Sequence, residues 1–173
     1  MLCAKEGCSL QTAGKSKYCA THRAEARKAW LDNVRKSEQE RADKITAHVA
    51  LWNRGRAAAL EAGKNAIPTP MVVGTPTPET MWEPQGKLDP NQPQYYVEDG
   101  VCGFAWVKVR PGTSSFARWL KKQGHGYSAY RGGIDVSISD FGQSMQRKEA
   151  AAKAMAKVWA DAGINCYAQS RMD

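Results

Sequence analysis

The stretch VCGFAWVKVR, Val101 to Arg110, decides how the second half of this 173-residue chain is read. Its residues alternate with a period of two, the period at which side chains of an extended strand point to opposite faces. Val101, Gly103, Ala105, Val107 and Val109 fall on one face, and Cys102, Phe104, Trp106, Lys108 and Arg110 on the other. Pro111-Gly112 ends the strand, because proline lacks the ladder donor and glycine favours the turn.

Beyond that stop, Thr113 or Ser114 is placed to cap a helix whose buried stripe is Phe116, Trp119 and Leu120, with Gly124 as its end. GYSAYRGGIDVSISDF then reads as two strands joined around Arg131-Gly132-Gly133, where the paired glycines supply the positive φ of a tight hairpin. SMQRKEAAAKAMAKVWADAG carries Met145, Ala152, Met155, Ala156 and Trp159 at helical spacing and stops at Gly163. INCYAQSRMD alternates again, with Ile164, Cys166 and Ala168 set against Asn165, Tyr167, Gln169 and Arg171. The order β-α-β-β-α-β over residues 97–173 predicts a ferredoxin-like domain: four antiparallel strands under two helices, the first and third strands central.

In that arrangement Phe104, Trp106, Lys108 and Arg110 point away from the helices. An uncovered sheet face is ordinarily polar, so aromatics interleaved with cations need a reason. RNA-recognition modules of this topology stack unpaired bases on such aromatics and hold the phosphates with basic residues. Phe104, Trp106, Lys108, Arg110, Tyr167 and Arg171 are the candidate nucleic-acid-binding residues, although GFAWVKV matches the RNP1 consensus only loosely. The competing reading covers the same face with protein, either Trp82, Tyr95 or Tyr96 of the preceding segment or another subunit.

Catalysis has little support. Cys102 and His125 have no spacing that marks a nucleophile and its base, and RPGTSS is an ordinary turn and cap. There is no phosphate-binding P-loop, dinucleotide fingerprint or paired-carboxylate constellation, and Asp135 and Asp140 are the only acids of the hairpin region. The expected protein is not an enzyme.

Upstream, seven of the eight prolines lie between Pro68 and Pro93, and Ala66 to Gly100 holds one lysine against five acidic residues. Residues 66–96 are therefore expected to be an extended acidic linker. The flanking segments are basic and the net charge is +8, which suits a phosphate-bearing partner. Residues 24–65, rich in Ala, Arg, Glu, Lys and Leu and free of proline, predict a long basic helix. Its interrupted seam of Leu31, Val34, Ala42, Ile45, Val49 and Trp52 suits packing on the same chain or on a second copy, so a homodimer is one expected assembly.

The start of the chain, residues 1–23, contains Cys3-x4-Cys8-x10-Cys19-x2-His22. Two short-range pairs of soft donors separated by a loop suit tetrahedral zinc, with Gly7 and Gly14 easing the turns and Tyr18 covering one side. Cys19 and His22 share one face if the helix has begun there. Four protein ligands leave no open position, so the expected Zn2+ is structural. With no signal peptide and no bilayer-length apolar run, the expected compartment is the cytoplasm, where five cysteines do not form a disulfide framework. The overall expectation is an α+β chain: finger, helix, linker and ferredoxin-like domain.

The finger resembles short treble-clef or knuckle modules. The segment from GFAWVKVRPGTSSFARWLKKQG through GINCYAQSRMD resembles a small protein of tailed-bacteriophage genomes, a likeness that brings no established biochemical activity with it. It implies expression in an infected bacterium and a role in nucleic-acid handling, in modulation of a host enzyme or as a minor virion component.

Overall fold

The computed structural model describes residues 1–83 and 86–173. Its elements are α1 (Ala20–Asn65), β1 (Met71–Gly74), β2 (Gln94–Val97), β3 (Gly103–Val109), α2 (Ser115–Lys122), β4 (Tyr127–Ser128), β5 (Ile134–Ser137), α3 (Met145–Asp161) and β6 (Cys166–Met172). The chain divides into two units, Met1–Ala47 and His48–Asp173. Among the described residues no helix is long and apolar enough to cross a membrane.

The second unit is built on a sheet of strand order β4-β5-β3-β6, antiparallel throughout, with β3 and β5 central. The alternation of β3 is realised: Ala105, Val107 and Val109 are buried, while Phe104 is exposed. Ile134 and Val136 of β5 join them, beneath Phe116 and Leu120 of α2 and Ala152, Met155 and Trp159 of α3. Ser114 caps α2 by accepting a hydrogen bond from the Ala117 amide at 3.3 Å, as its position before Ser115 requires. Gly132 and Gly133 turn the β4–β5 hairpin at φ 78° and 87°, values an L side chain rarely adopts.

Three features depart from the sequence reading. First, the unit starts at His48, inside α1, rather than at residue 97. Leu51 and Ala59 of α1 belong to the same buried cluster as the sheet and its helices, and Trp159 Nε1 donates to the Leu51 carbonyl at 3.3 Å. Trp52 stacks on His125 with centroids 4.0 Å apart, and Arg56 makes a bidentate pair with Asp140 at 2.6 and 3.3 Å. The Arg56 guanidinium holds the Asp140 carboxyl below the usual range; burial, with Arg56 nearby, pulls His125 down as well.

Second, the buried stripe of α1 is Leu51, Gly55, Ala59 and Gly63. The expected seam is different: Leu31, Ile45 and Val49 are exposed, and of its members only Trp52 packs against the core. Spacing of four with small residues lets this part of the helix approach closely. A β-carbon at Gly55 would overlap the Trp159 indole, and one at Gly63 the Phe141 ring.

Third, the proline-rich stretch is not a free linker, because β1 and β2 pair as an antiparallel hairpin, Val72 opposite Tyr96 and Val73 opposite Tyr95. The prolines bracket these strands and none lies within them, so no ladder donor is lost. Pro84 and Gln85 of that stretch lie outside the described residues. The segment is tied to α3, with the Thr69 amide donating to Gln146 and Ser144 Oγ to the Asp99 carbonyl at 2.8 Å. Trp82, Tyr95 and Tyr96 are exposed, Trp82 at 87%.

Candidate functional site

Two constellations, one in each unit, carry chemistry. In the first unit a small hairpin brings Leu2 opposite Gln11, and the Cys3 amide donates to the Leu10 carbonyl at 3.0 Å. Gly7, at φ 78°, turns the chain between Cys3 and Cys8. Cys19 stands immediately before α1 and accepts its first helical hydrogen bond from the Arg23 amide at 3.0 Å, so His22 lies one turn on, over the same face. Sequence spacing alone therefore brings the second pair together; the hairpin brings in the first.

The four donor atoms lie within 4.8 Å of one another, close enough to hold a metal ion. Cys3 Sγ is 3.3 Å and Cys19 Sγ 3.4 Å from His22 Nδ1, and Cys8 Sγ is 3.9 Å from Cys19 Sγ. Tetrahedral zinc with bonds of about 2.3 Å to sulfur and 2.0 Å to nitrogen spaces its ligands about 3.5–3.8 Å apart, and the separations of 3.3, 3.4 and 3.9 Å fall on either side of that range. A disulfide requires about 2.05 Å, and all five cysteines are free. Burial pushes the Cys3 thiol up, but the Cys19 and Lys5 backbone and the His22 and Cys8 side chains outweigh it and bring the thiol down to about 6. Glu25 Oε2 lies 3.9 Å from His22 Nε2, on the side of the ring away from the sulfurs. Tyr18 and His22 together line a recess beside the cluster.

In the second unit, the sheet face away from α2 and α3 is organised in rows by the strand register. Tyr127, Asp135, Lys108 and Tyr167 are successive cross-strand partners, forming one row over all four strands. The next row sets Ser137, Trp106 and Gln169 side by side, and the next Phe104 and Arg171. Phe104 and Tyr167 are 43% and 40% exposed. The Trp106 indole donates to Gln169 Oε1 at 3.1 Å, which fixes its ring in the face. Arg171 lies 5.6 Å from the centre of the Phe104 ring, as does the Lys148 ammonium, which donates to the Gly103 carbonyl.

Of the six residues singled out on this face, Lys108 differs most from its expected role. It is only 7% exposed and pairs with Asp135 at 2.7 Å, so its charge is neutralised within the sheet. Arg110 lies just past β3, donating from Nη2 to the Arg131 carbonyl at 2.9 Å. The sequence reading did not include Tyr127, Arg131 and Lys148 here. Tyr127 joins the face only once the hairpin register is known, since a slip by one residue would reverse it. Lys148 sits on a helical stripe that reads as core. Cys102 and His125 have separate surroundings: Cys102 bridges to Ser144, and His125 lies on Trp52.

No protein-family model, curated protein or solved structure matches the chain.

Proposed function

We propose that the chain is a non-enzymatic, zinc-containing nucleic-acid-binding protein whose second unit, a ferredoxin-like domain, takes unpaired bases on its open sheet face. The observation that carries this reading is the uncovered row structure of that face: exposed Phe104 and Tyr167 flank a fixed Trp106, with Arg171 at one end and Arg110 beyond the other. Aromatic faces stack on any base, and arginines hold phosphates, so binding of this kind is tolerant of sequence and sensitive to salt. Lys108 serves by holding the face in shape with Asp135.

The Cys3, Cys8, Cys19 and His22 cluster is assigned to one structural Zn2+, since three thiolates and an imidazole are the donor set this ion favours. Its role is to hold together the short loops of residues 1–23 around the ion. The basic finger and helix then add electrostatic affinity. On this reading, which follows the phage-like resemblance of the C-terminal segment, the setting is the cytoplasm of an infected bacterium.

A protein partner, from the host or the virion, is the second reading. It is favoured by the β1–β2 hairpin, which leaves Val72, Val73, Tyr95 and Tyr96 exposed on its two faces. The exposed Leu31, Ile45 and Val49 leave a homodimer through the helix as a variant of it.

Fluorescence anisotropy with zinc-loaded protein and single-stranded RNA, single-stranded DNA and duplex DNA over a salt series separates these readings. Affinity for single strands should fall with salt, and Trp106→Ala should weaken it by about tenfold or more, the loss of one stacked base. Loss only on Cys19→Ser would move the site to the finger. Absence of binding to any polymer at low salt would turn the assignment to a protein partner.

A further inference from the structure

Beyond the Tyr167 end of the sheet face, the chain forms a recess of about 360 Å³ lined by Arg110, Pro111, Gly112, Arg131, Gly132, Gly133 and Asn165. Its lining includes two arginines and, among the described residues, no acidic residue. Among the described residues neither Arg110 nor Arg131 takes part in a salt bridge. Two like charges left without a counterion at one recess define a preference for an anion.

Three of the lining residues are glycines, and two of them sit close against neighbouring backbone. At Gly133, φ 87°, a β-carbon would come within 2.7 Å of the Val109 carbonyl oxygen; one at Gly112 would meet Gly133 at 3.3 Å. The Arg110 amide donates to the Asn165 carbonyl, and its guanidinium to the Arg131 carbonyl at 2.9 Å. The first arginine is thus held at the lip of the turn that carries the second. A tetrahedral phosphate can accept from two guanidinium forks and an amide at once, whereas a flat carboxylate is satisfied by one fork. Tyr130, next to Arg131 in the chain, is fully exposed.

We propose that this recess binds a phosphate group, and, resting on the single-strand reading above, that it holds the backbone of a strand whose bases lie along Tyr167, Trp106 and Phe104. The recess is one row from Tyr167, about 7 Å along β3 for two residues. Arg110 and Arg131 are the phosphate ligands and Tyr130 the stacking residue for the adjoining base.

The test uses the full-length, zinc-loaded chain, labelled with nitrogen-15 and titrated with inorganic phosphate against chloride of matched ionic strength. The Gly112, Gly132, Gly133 and Asn165 amides should shift saturably with phosphate. Arg110→Gln/Arg131→Gln should abolish the shifts, Trp106→Ala should leave them intact, and Arg110→Lys/Arg131→Lys should restore part of them. In parallel, the double glutamine variant should bind a single-stranded oligonucleotide about tenfold more weakly. Its slope of log affinity on log salt should be shallower by about 0.7, one phosphate contact. Phosphate shifts without oligonucleotide binding would retain the recess as a site for free phosphate and end its place on a strand. Trp106-dependent oligonucleotide binding with silent recess amides and an unchanged salt slope would overturn the recess and leave the sheet reading standing. Shifts that chloride reproduces would also overturn it.

Discussion

Lys108 and Asp135 are neighbours across the two central strands, joined at 2.7 Å with side chains 8% and 13% exposed. A charge so little hydrated is tolerable only beside its partner, so removing one member is worse than removing both. Lys108→Ala should cost about 3 kcal/mol of stability, while the apolar pair Lys108→Met/Asp135→Leu should recover most of that loss. Urea denaturation followed by tryptophan fluorescence measures this; equal losses in the single and double variants would show that the ion pair is not what holds these residues. The alternation of VCGFAWVKVR places Lys108 on the outer face, and that much is legible. Its burial depends on Asp135 and Tyr167 arriving on either side, which strand pairing decides.

At the scale of elements, α1 shows how composition and packing come apart. The run from Ala20 to Asn65 reads as a helix from its formers alone. The apolar seam at Leu31, Ile45 and Val49 draws the eye, yet the buried stripe contains two glycines and an alanine, residues a hydrophobic pattern passes over. In an exposed helix Gly→Ala stabilises by roughly 1 kcal/mol. At Gly55 the sign should reverse, to a loss of about 1–2 kcal/mol, because the added methyl meets the fully buried Trp159. Thermal melts of Gly55→Ala read this directly, and a raised melting temperature would refute the close approach. The β1–β2 hairpin has a parallel history. Dense prolines suggested an extended tether, but their positions at strand margins allow Met71–Gly74 and Gln94–Val97 to pair.

For the whole molecule, the division at His48 makes a claim about what folds together. A chain of residues 48–173 should retain cooperative unfolding and native near-ultraviolet tryptophan signals. One of residues 97–173 should lose both, since it lacks Leu51, Trp52, Arg56 and Ala59. Two-state melting of the shorter chain would return the boundary to residue 97. The cysteine cluster was more accessible to reading, because Cys19 and His22 need only one helical turn and Cys3 and Cys8 one glycine-eased turn to converge.

The sequence by itself determined the alternation of the strands, the caps and stops of α2, the glycine turn at Arg131–Gly133 and the four Cys and His side chains that lie close enough to hold a metal ion. All of these depend on interactions within a few residues. Only the tertiary structure decided that α1 enters the core, that the proline-rich stretch folds against α3, that Lys108 is neutralised, and that Arg110 and Arg131 share a recess. Those outcomes join residues far apart in the chain. They are settled by which surfaces exclude water from one another and which charges find partners, and no local pattern records either.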